Sequence, residues 1–167
     1  MIPKYFLYII YQMETPQTYK WGPALWMLLH YSAERINSNT LQRLPFEEYR
    51  IWTNLLSSLR FSIPCPLCKK HYTAYFTSNP ISEFDRKSIR KWLFNLHNFV
   101  NSENGKESDL TLDTLEEVYN KPFIFSDYFK VVKDEIFKSL RLGWSFRPDV
   151  QKTIRCLEEL KRFYNFY

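Results

Sequence analysis

The sequence predicts an all-α protein. Apolar residues recur at helical spacing in seven consecutive segments, prolines fall between or at the starts of those segments, and no alternating stretch is flanked by turn dipeptides. Pro23 suits a first-turn position, followed by Trp26, Leu29 and Ala33. Pro45 opens a second segment with Trp52, Leu55, Leu56 and Leu59 on one side. Pro64 and Pro66 break the pattern, and a third helix starts there, runs to Phe76 and ends at Asn79-Pro80. The fourth segment carries Ile89, Trp92, Leu93, Leu96 and Val100. Thr111 is placed as the N-cap of a short fifth helix through Leu112, Leu115 and Tyr119, closed by Pro122. From Phe123 onward a separate block predicts two appended helices. Ser126 caps the first, with Phe129, Val132, Ile136 and Leu140, and Gly143 ends it. Arg147-Pro148-Asp149 starts the second, with Val150, Ile154 and Leu157.

At 167 residues and 45% hydrophobic content the chain has enough apolar side chains for a packed core rather than disorder. Aromatic residues at 19% fill a wide core or wall a planar ligand. With three glycines and no G-x-G-x-x-G or Walker sequence, Gly-rich phosphate loops are excluded. The net charge of +5 is partly a property of the tail, where residues 128–167 hold nine Lys/Arg against five Asp/Glu. Acidic residues are interspersed, so the charge describes a solvated basic surface and no nucleic-acid partner is expected. The apolar run Tyr5–Tyr11 is far shorter than the about 20 residues a membrane span needs. It lacks a small-residue cleavage site, so a secretory signal is not expected, and the role of the run, with packing on the bundle as one option, is left open. In a reducing location a C-x-x-C pair serves catalysis or metal binding more often than structure.

That pair is Cys65-Pro66-Leu67-Cys68, two of only three cysteines. The chain also has only three histidines: His71 directly after the pair, and His30 and His97 on two separate amphipathic segments. At a helix start, free N–H groups and the positive end of the helix dipole stabilise a thiolate. The i, i+3 spacing keeps the two sulfurs within bonding reach. Four chemistries compete. Zinc would use Cys65, Cys68, His71 and His97, although no second C-x-x-C exists. A thioredoxin-type site wants a βαβ context. A c-type haem needs histidine where Lys69 stands. The fourth is a dithiol coupled to an organic cofactor in a helical bundle. His97 and Asn101 share a helix face at i, i+4, with Asn98 alongside, and such groups amid Leu96, Phe99 and Val100 need a polar partner if buried. This favours the fourth chemistry, with a nucleotide as the partner.

Three blocks resemble the Erv/ALR family of FAD-linked sulfhydryl oxidases. Trp21-Gly22-Pro23-Ala24-Leu25-Trp26-Met27-Leu28-Leu29-His30 is similar to the family's W-G-x-x-x-W-x-x-L-H. Cys65-Pro66-Leu67-Cys68-Lys69-Lys70-His71-Tyr72 is similar to C-x-x-C-x-x-H-[YF], and His97-Asn98-Phe99-Val100-Asn101 to H-N-x-V-N. Order and spacing agree over residues 18–122. The resemblance implies a four-helix bundle with a short fifth helix binding FAD, between an N-terminal extension (1–17) and a C-terminal helical extension (123–167). It implies that Cys65 exchanges with substrate and that Cys68 lies against the flavin. Trp21, Trp26, His30, His71, Tyr72, His97, Asn98, Asn101 and Lys106 would line or support the FAD site, with no metal. Electrons would pass from protein dithiols, or from a partner redox protein, through FAD to dioxygen, giving hydrogen peroxide.

The family habit also implies a homodimer. The missing shuttle cysteines are similar to the compact oxidases of large cytoplasmic DNA viruses, which implies host cytoplasm, virus factory or virion, with the mitochondrial intermembrane space as the alternative. Cys156 is left alone in the tail, and a single cysteine cannot act as an internal shuttle pair. Asn104 and Gly105 depart from the family's usual hydrophobic residues before Lys106. The competing functions are a zinc-stabilised non-enzymatic helical module and a flavin-less scaffold for assembly.

Overall fold

In a computed structural model, the chain is described over residues 1–38 and 45–167, and side chains over the same residues apart from 10–14 and 45. Among the described residues there are eight α-helices and no strand: α1 (Lys4–Glu14), α2 (Thr18–Ala33), α3 (Pro45–Ser62), α4 (Pro66–Ser78), α5 (Arg86–Glu103), α6 (Leu115–Tyr119), α7 (Phe125–Arg141) and α8 (Arg147–Phe163).

Most helix ends follow from local chemistry. Asp85 caps α5 by accepting the Ser88 amide at 2.7 Å. At the other end, Gly105 at φ 66° lets its own N–H reach the Ser102 carbonyl and the Lys106 N–H reach the Asn101 carbonyl. This Schellman closure needs a left-handed residue, which is why glycine stands there. Gly143 at φ 74° ends α7 in the same way. Three predicted boundaries move. The first bundle helix begins at Thr18, so Pro23 lies inside it; the carbonyl left without a helical donor is that of Tyr19, an exposed residue that water reaches. The fifth helix begins at Leu115 rather than after Thr111, because Thr111 and Thr114 close a turn on each other. Ser126 does not cap α7, which starts at Phe125; the Ser126 amide donates instead to the Tyr167 carbonyl at 2.9 Å.

The helices close into a ring in which α2 packs on α5, α5 on α4, α4 on α3, α3 on α8, α8 on α7 and α7 back on α2. The C-terminal extension is therefore built into the ring, with α7 and α8 lying between α2 and α3. Phe125, Phe129, Val132 and Ile136 of α7, and Val150, Leu157, Leu160 and Phe163 of α8, enter the same core as Leu28, Trp52, Leu59 and Leu93. Apolar stripes of this width have to be buried somewhere, and α2 and α3 offer the matching faces.

Polar side chains pin the seams. The Trp52 indole N–H donates to the Tyr164 hydroxyl at 2.9 Å, which donates to Glu48 at 2.8 Å. Thr153 of α8 donates to Ser58 of α3 at 2.8 Å and exchanges a bond with Ser62. Buried Glu34, the C-cap of α2, takes Arg90 at 2.7 Å and Arg86 at 2.9 Å, both from α5. By contrast, the described side chains Tyr5 to Tyr8 of α1 are largely exposed.

Because one core spans bundle and tail, Leu157→Ala should destabilise the whole protein by about 2–5 kcal/mol. Urea unfolding followed by circular dichroism would show a lower midpoint in one transition; an early partial transition confined to the tail would contradict the shared core.

Candidate active site

The cysteine turn is built by its prolines. Pro64 and Pro66 keep the chain out of helix until Cys65, whose extended backbone (φ −124°, ψ 123°) makes it the N-cap of α4. Its sulfur accepts the Cys68 amide N–H at 3.2 Å, so a thiol fills the place usually held by a serine or aspartate. Both thiols are free and half-buried.

The two sulfurs divide the proton unequally. Cys65 is lowered to about 6, first by the hydrogen bond from the Cys68 thiol, with burial opposing and the Cys68 and Leu67 amides and His71 assisting. Cys68 is pushed up, first by that same bond, then by burial and by the Cys65 charge. At neutral pH the reduced pair is thus a monoanion, with the charge on Cys65 and a proton held between the sulfurs. The Thr18 side chain acts weakly against this rise, so the Cys68 sulfur stands near the first turn of α2.

Along α2 and α5 a stack of rings follows. Trp26 lies flat on His97, with centroids 4.0 Å apart and an interplanar angle of 10°. His30 Nε2 and His97 Nδ1 are 3.0 Å apart. Tyr119 of α6 stacks on the outer side of His30 at 4.6 Å. Burial lowers both histidines, His97 to about 4 and His30 to about 3, with His97 adding to the effect on His30. Two neutral imidazoles can share that bond; two imidazolium rings cannot.

The remaining predicted residues divide into groups. Trp21 is buried, and its indole N–H has no partner among the described residues. His71 is half-buried, 4.0 Å from Glu103 of α5. Tyr72 is turned into the core, where its hydroxyl donates to the Leu56 carbonyl at 2.6 Å, so it supports the site through α3. Asn101 is half-buried on the last turn of α5, Asn98 is exposed, and Lys106 is exposed just past the Schellman closure. Tyr119 and Thr18 join the site without having been singled out as site residues. Thr18 stands three residues before Trp21, a spacing that places both on one side of the helix.

The residues fit an aromatic, hydrogen-bonding cofactor. A buried indole donor lacks a partner, and neutral imidazoles gather with the flat rings of Trp26 and Tyr119, donor, acceptor and aromatic faces of the kinds such a group needs. The four-ligand zinc arrangement is not assembled, since His97 pairs with His30 and, among the described residues, no three His, Cys, Asp or Glu side chains converge as a metal site. No described helix is long and apolar enough to cross a membrane.

Comparison with known proteins places the chain in a family. The profile of the Erv1 / Alr family matches residues 23–120. A FAD-linked sulfhydryl oxidase of African swine fever virus (isolate Tick/Malawi/Lil 20-1/1983) is 30% identical over 123 residues, 74% of this chain and 88% of the relative. Its counterpart from isolate Pig/Kenya/KEN-50/1950 is 26% identical with the same coverage. A probable FAD-linked sulfhydryl oxidase, R368, of Acanthamoeba polyphaga mimivirus is 27% identical over 92 residues, 53% of this chain and 61% of the relative. No solved structure matches. Running from within α2 to the end of α6, the family match takes in both the cysteine turn and the histidine pair, and the chain belongs to the Erv1 / Alr family.

Proposed function

We propose that this protein is a FAD-dependent sulfhydryl oxidase that makes disulfides in protein thiols, with Cys65–Cys68 as its redox pair and dioxygen as the final acceptor. The observation that carries this reading is the cysteine turn itself: a low-pKa thiol capping a helix, bonded to a second thiol that faces the helix bearing Trp21, Trp26 and His30.

In the oxidised enzyme a substrate thiolate attacks the Cys65 sulfur. The bond to Cys68 breaks and Cys68 takes the electron pair. A second substrate thiolate then attacks the substrate sulfur of the mixed disulfide, and Cys65 leaves. The low pKa of Cys65 favours this second step, because a more acidic thiol is the better leaving group. The substrate departs with a new disulfide. The reduced pair keeps two electrons and one shared proton. FAD, when bound, accepts two electrons from such a dithiol and passes them to dioxygen, giving hydrogen peroxide. Trp21, Trp26, His30, His97 and Asn101 would hold it, with Asn98, His71 and Lys106 at the margins and Tyr72 behind. The neutral histidines offer both donor and acceptor atoms without adding charge beside the thiolate. Cys156 is buried in the α8 core and its thiol is pushed up, first by burial, so it takes no part in exchange. The relatives' names support thiol substrates, and their viral origin supports action in host cytoplasm or a virus factory; the partner redox protein and the homodimer rest on the family resemblance alone.

The purified protein should be yellow, with a flavin absorption spectrum. Cys65→Ser and Cys68→Ser should each abolish peroxide formation from a dithiol substrate while retaining the flavin. Protein that stays colourless after FAD is added would sink the oxidase reading. Alkylation of Cys65 in the reduced protein should follow a midpoint near pH 6, and Cys68→Ala, which removes the largest stabilising bond, should move that midpoint up. Burial of His30 and His97 makes unfolding take up protons below the ordinary histidine pKa of about 6.5. In the Cys65–Cys68 disulfide form, where those sulfurs do not titrate, thermal stability should therefore be level just above that pH and fall as pH drops from there toward 4, and His97→Asn should flatten the slope.

A further inference from the structure

The C-terminal helices α7 and α8 lie outside the span matched by the family profile, and one contact brings them to the redox turn. Lys69 follows Cys68 in α4. Its amide N–H donates to the Cys65 carbonyl at 2.8 Å, so Lys69 stands one helical turn from Cys65 on the same face. The ammonium of Lys69 is anchored. Nζ donates to the Trp144 carbonyl at 2.8 Å and to the Ser145 hydroxyl at 3.3 Å, both in the turn between α7 and α8.

That turn is itself held firmly. Gly143 at φ 74° allows the Trp144 N–H to reach the Ser139 carbonyl at 2.9 Å. The buried Ser139 hydroxyl donates to the Ser145 hydroxyl at 3.2 Å. A lysine on an open surface would lose much rotamer freedom on being fixed beside a thiolate. Here the fixing is done by partners outside the active site. Both are neutral oxygens, so they orient the ammonium without cancelling its charge. Asp149 of α8 helps to keep Lys69 protonated against its partial burial, and the Cys65 charge bears on it as well.

We infer that Lys69, held by the α7–α8 turn, is a positioning residue for the redox pair: its fixed positive charge stabilises the anion that reduction leaves on Cys65. The step it bears on is the exchange described above. Two electrons from a substrate dithiol enter the Cys65–Cys68 bond, the bond breaks, one proton stays between the sulfurs and the other goes to solvent. Favouring the reduced anion makes the pair a stronger oxidant of substrate thiols. The C-terminal helices would thereby set how strongly the family core oxidises.

Other titratable or charged groups around this turn are few. Cys68 shares the proton, and His71 faces Cys65 with Glu103 of α5 behind it at 4.0 Å. From α2 comes the neutral Thr18, and from α8 Asp149. Arg60 of α3 lies over Phe76, toward the far end of α4.

For its catalytic meaning the inference rests on the oxidase reading, but its test needs neither flavin nor oxygen. The reduced full-length protein would be alkylated across pH, Cys65 followed by peptide mass spectrometry, and the thiol–disulfide ratio measured in glutathione buffers. Lys69→Met should raise the Cys65 midpoint by about half a pH unit or more and shift the glutathione equilibrium toward the disulfide. Lys69→Arg should restore most of the effect, and Ser145→Ala should shift it in the same direction by less. Lys70→Met removes the same charge from the exposed neighbour and should leave the midpoint in place. Equal shifts in Lys69→Met and Lys70→Met, or none in Lys69→Met, would overturn the inference. If Lys69→Met fails to fold by circular dichroism, Lys69→Gln together with Ser145→Ala decides on the same criteria. A shift in a protein that never takes up flavin would defeat the oxidase reading and leave this inference standing; a flavoprotein without the shift would do the reverse.

Discussion

Between α2 and α5 two imidazoles meet at 3.0 Å, and much of the site is arranged around that bond. One ring nitrogen must carry a hydrogen and the other must be bare, so the two rings cannot both be charged. Burial keeps both neutral by lowering both pKa values well below neutrality. The flanking rings, Trp26 on His97 and Tyr119 on His30, supply dry apolar faces and draw α6 against α2. One turn further along α2, Glu34 holds Arg86 and Arg90 of α5 and fixes the antiparallel register in which the imidazoles meet. A slip of one residue along either helix would separate the ion pairs and the histidine bond together. Two polar seams on one helix pair therefore specify a single alignment where an apolar seam would tolerate several.

The redox turn solves a different problem. A thiol needs a low pKa to exchange at neutral pH, yet burial alone would push it up. Placing Cys65 at the N-cap uses backbone N–H groups that would otherwise lack a helical partner. Adding a second thiol that donates to the first concentrates the charge on one sulfur and the proton on the other. The reduced pair is thus asymmetric. The exposed flank of that turn, with Leu67 open to solvent, and the face toward Thr18 give the two sulfurs different neighbours.

Closure of the ring explains why a chain of this size carries two more helices than the bundle needs. Helices α2 and α3 are joined chiefly through α7 and α8. Buried hydroxyl contacts of Ser58, Ser62 and Thr153, and the chain from Trp52 through Tyr164 to Glu48, fix the α3–α8 seam. Buried polar bonds of this kind hold one register where a purely apolar seam would allow sliding. The turn at one end of α7–α8 then reaches Lys69, so the same helices that complete the core also touch the redox turn.

Much of this was legible in the chain itself. Helical periodicity marks the four bundle helices, the short fifth and the two C-terminal ones, since Leu, Trp and Phe at three- and four-residue intervals need a common buried face. Pro64 and Pro66 announce a helix start at the cysteines, and the spacing of His97 and Asn101 announces a shared face. The helix starts at Thr18, Leu115 and Phe125 were not legible, because a proline or a hydroxyl that suits a first turn is also tolerated elsewhere when water or a distant carbonyl satisfies the backbone. The sequence by itself determined the helices, the redox pair and the set of rings available for a cofactor, because those depend on residue type and local spacing. Only the tertiary structure decided that His30 would bond His97, that Tyr72 would spend its hydroxyl on Leu56, and that the α7–α8 turn would hold Lys69. Such contacts join residues 16 to 76 positions apart, and no local pattern encodes which of many compatible partners the packed ring brings into hydrogen-bond reach.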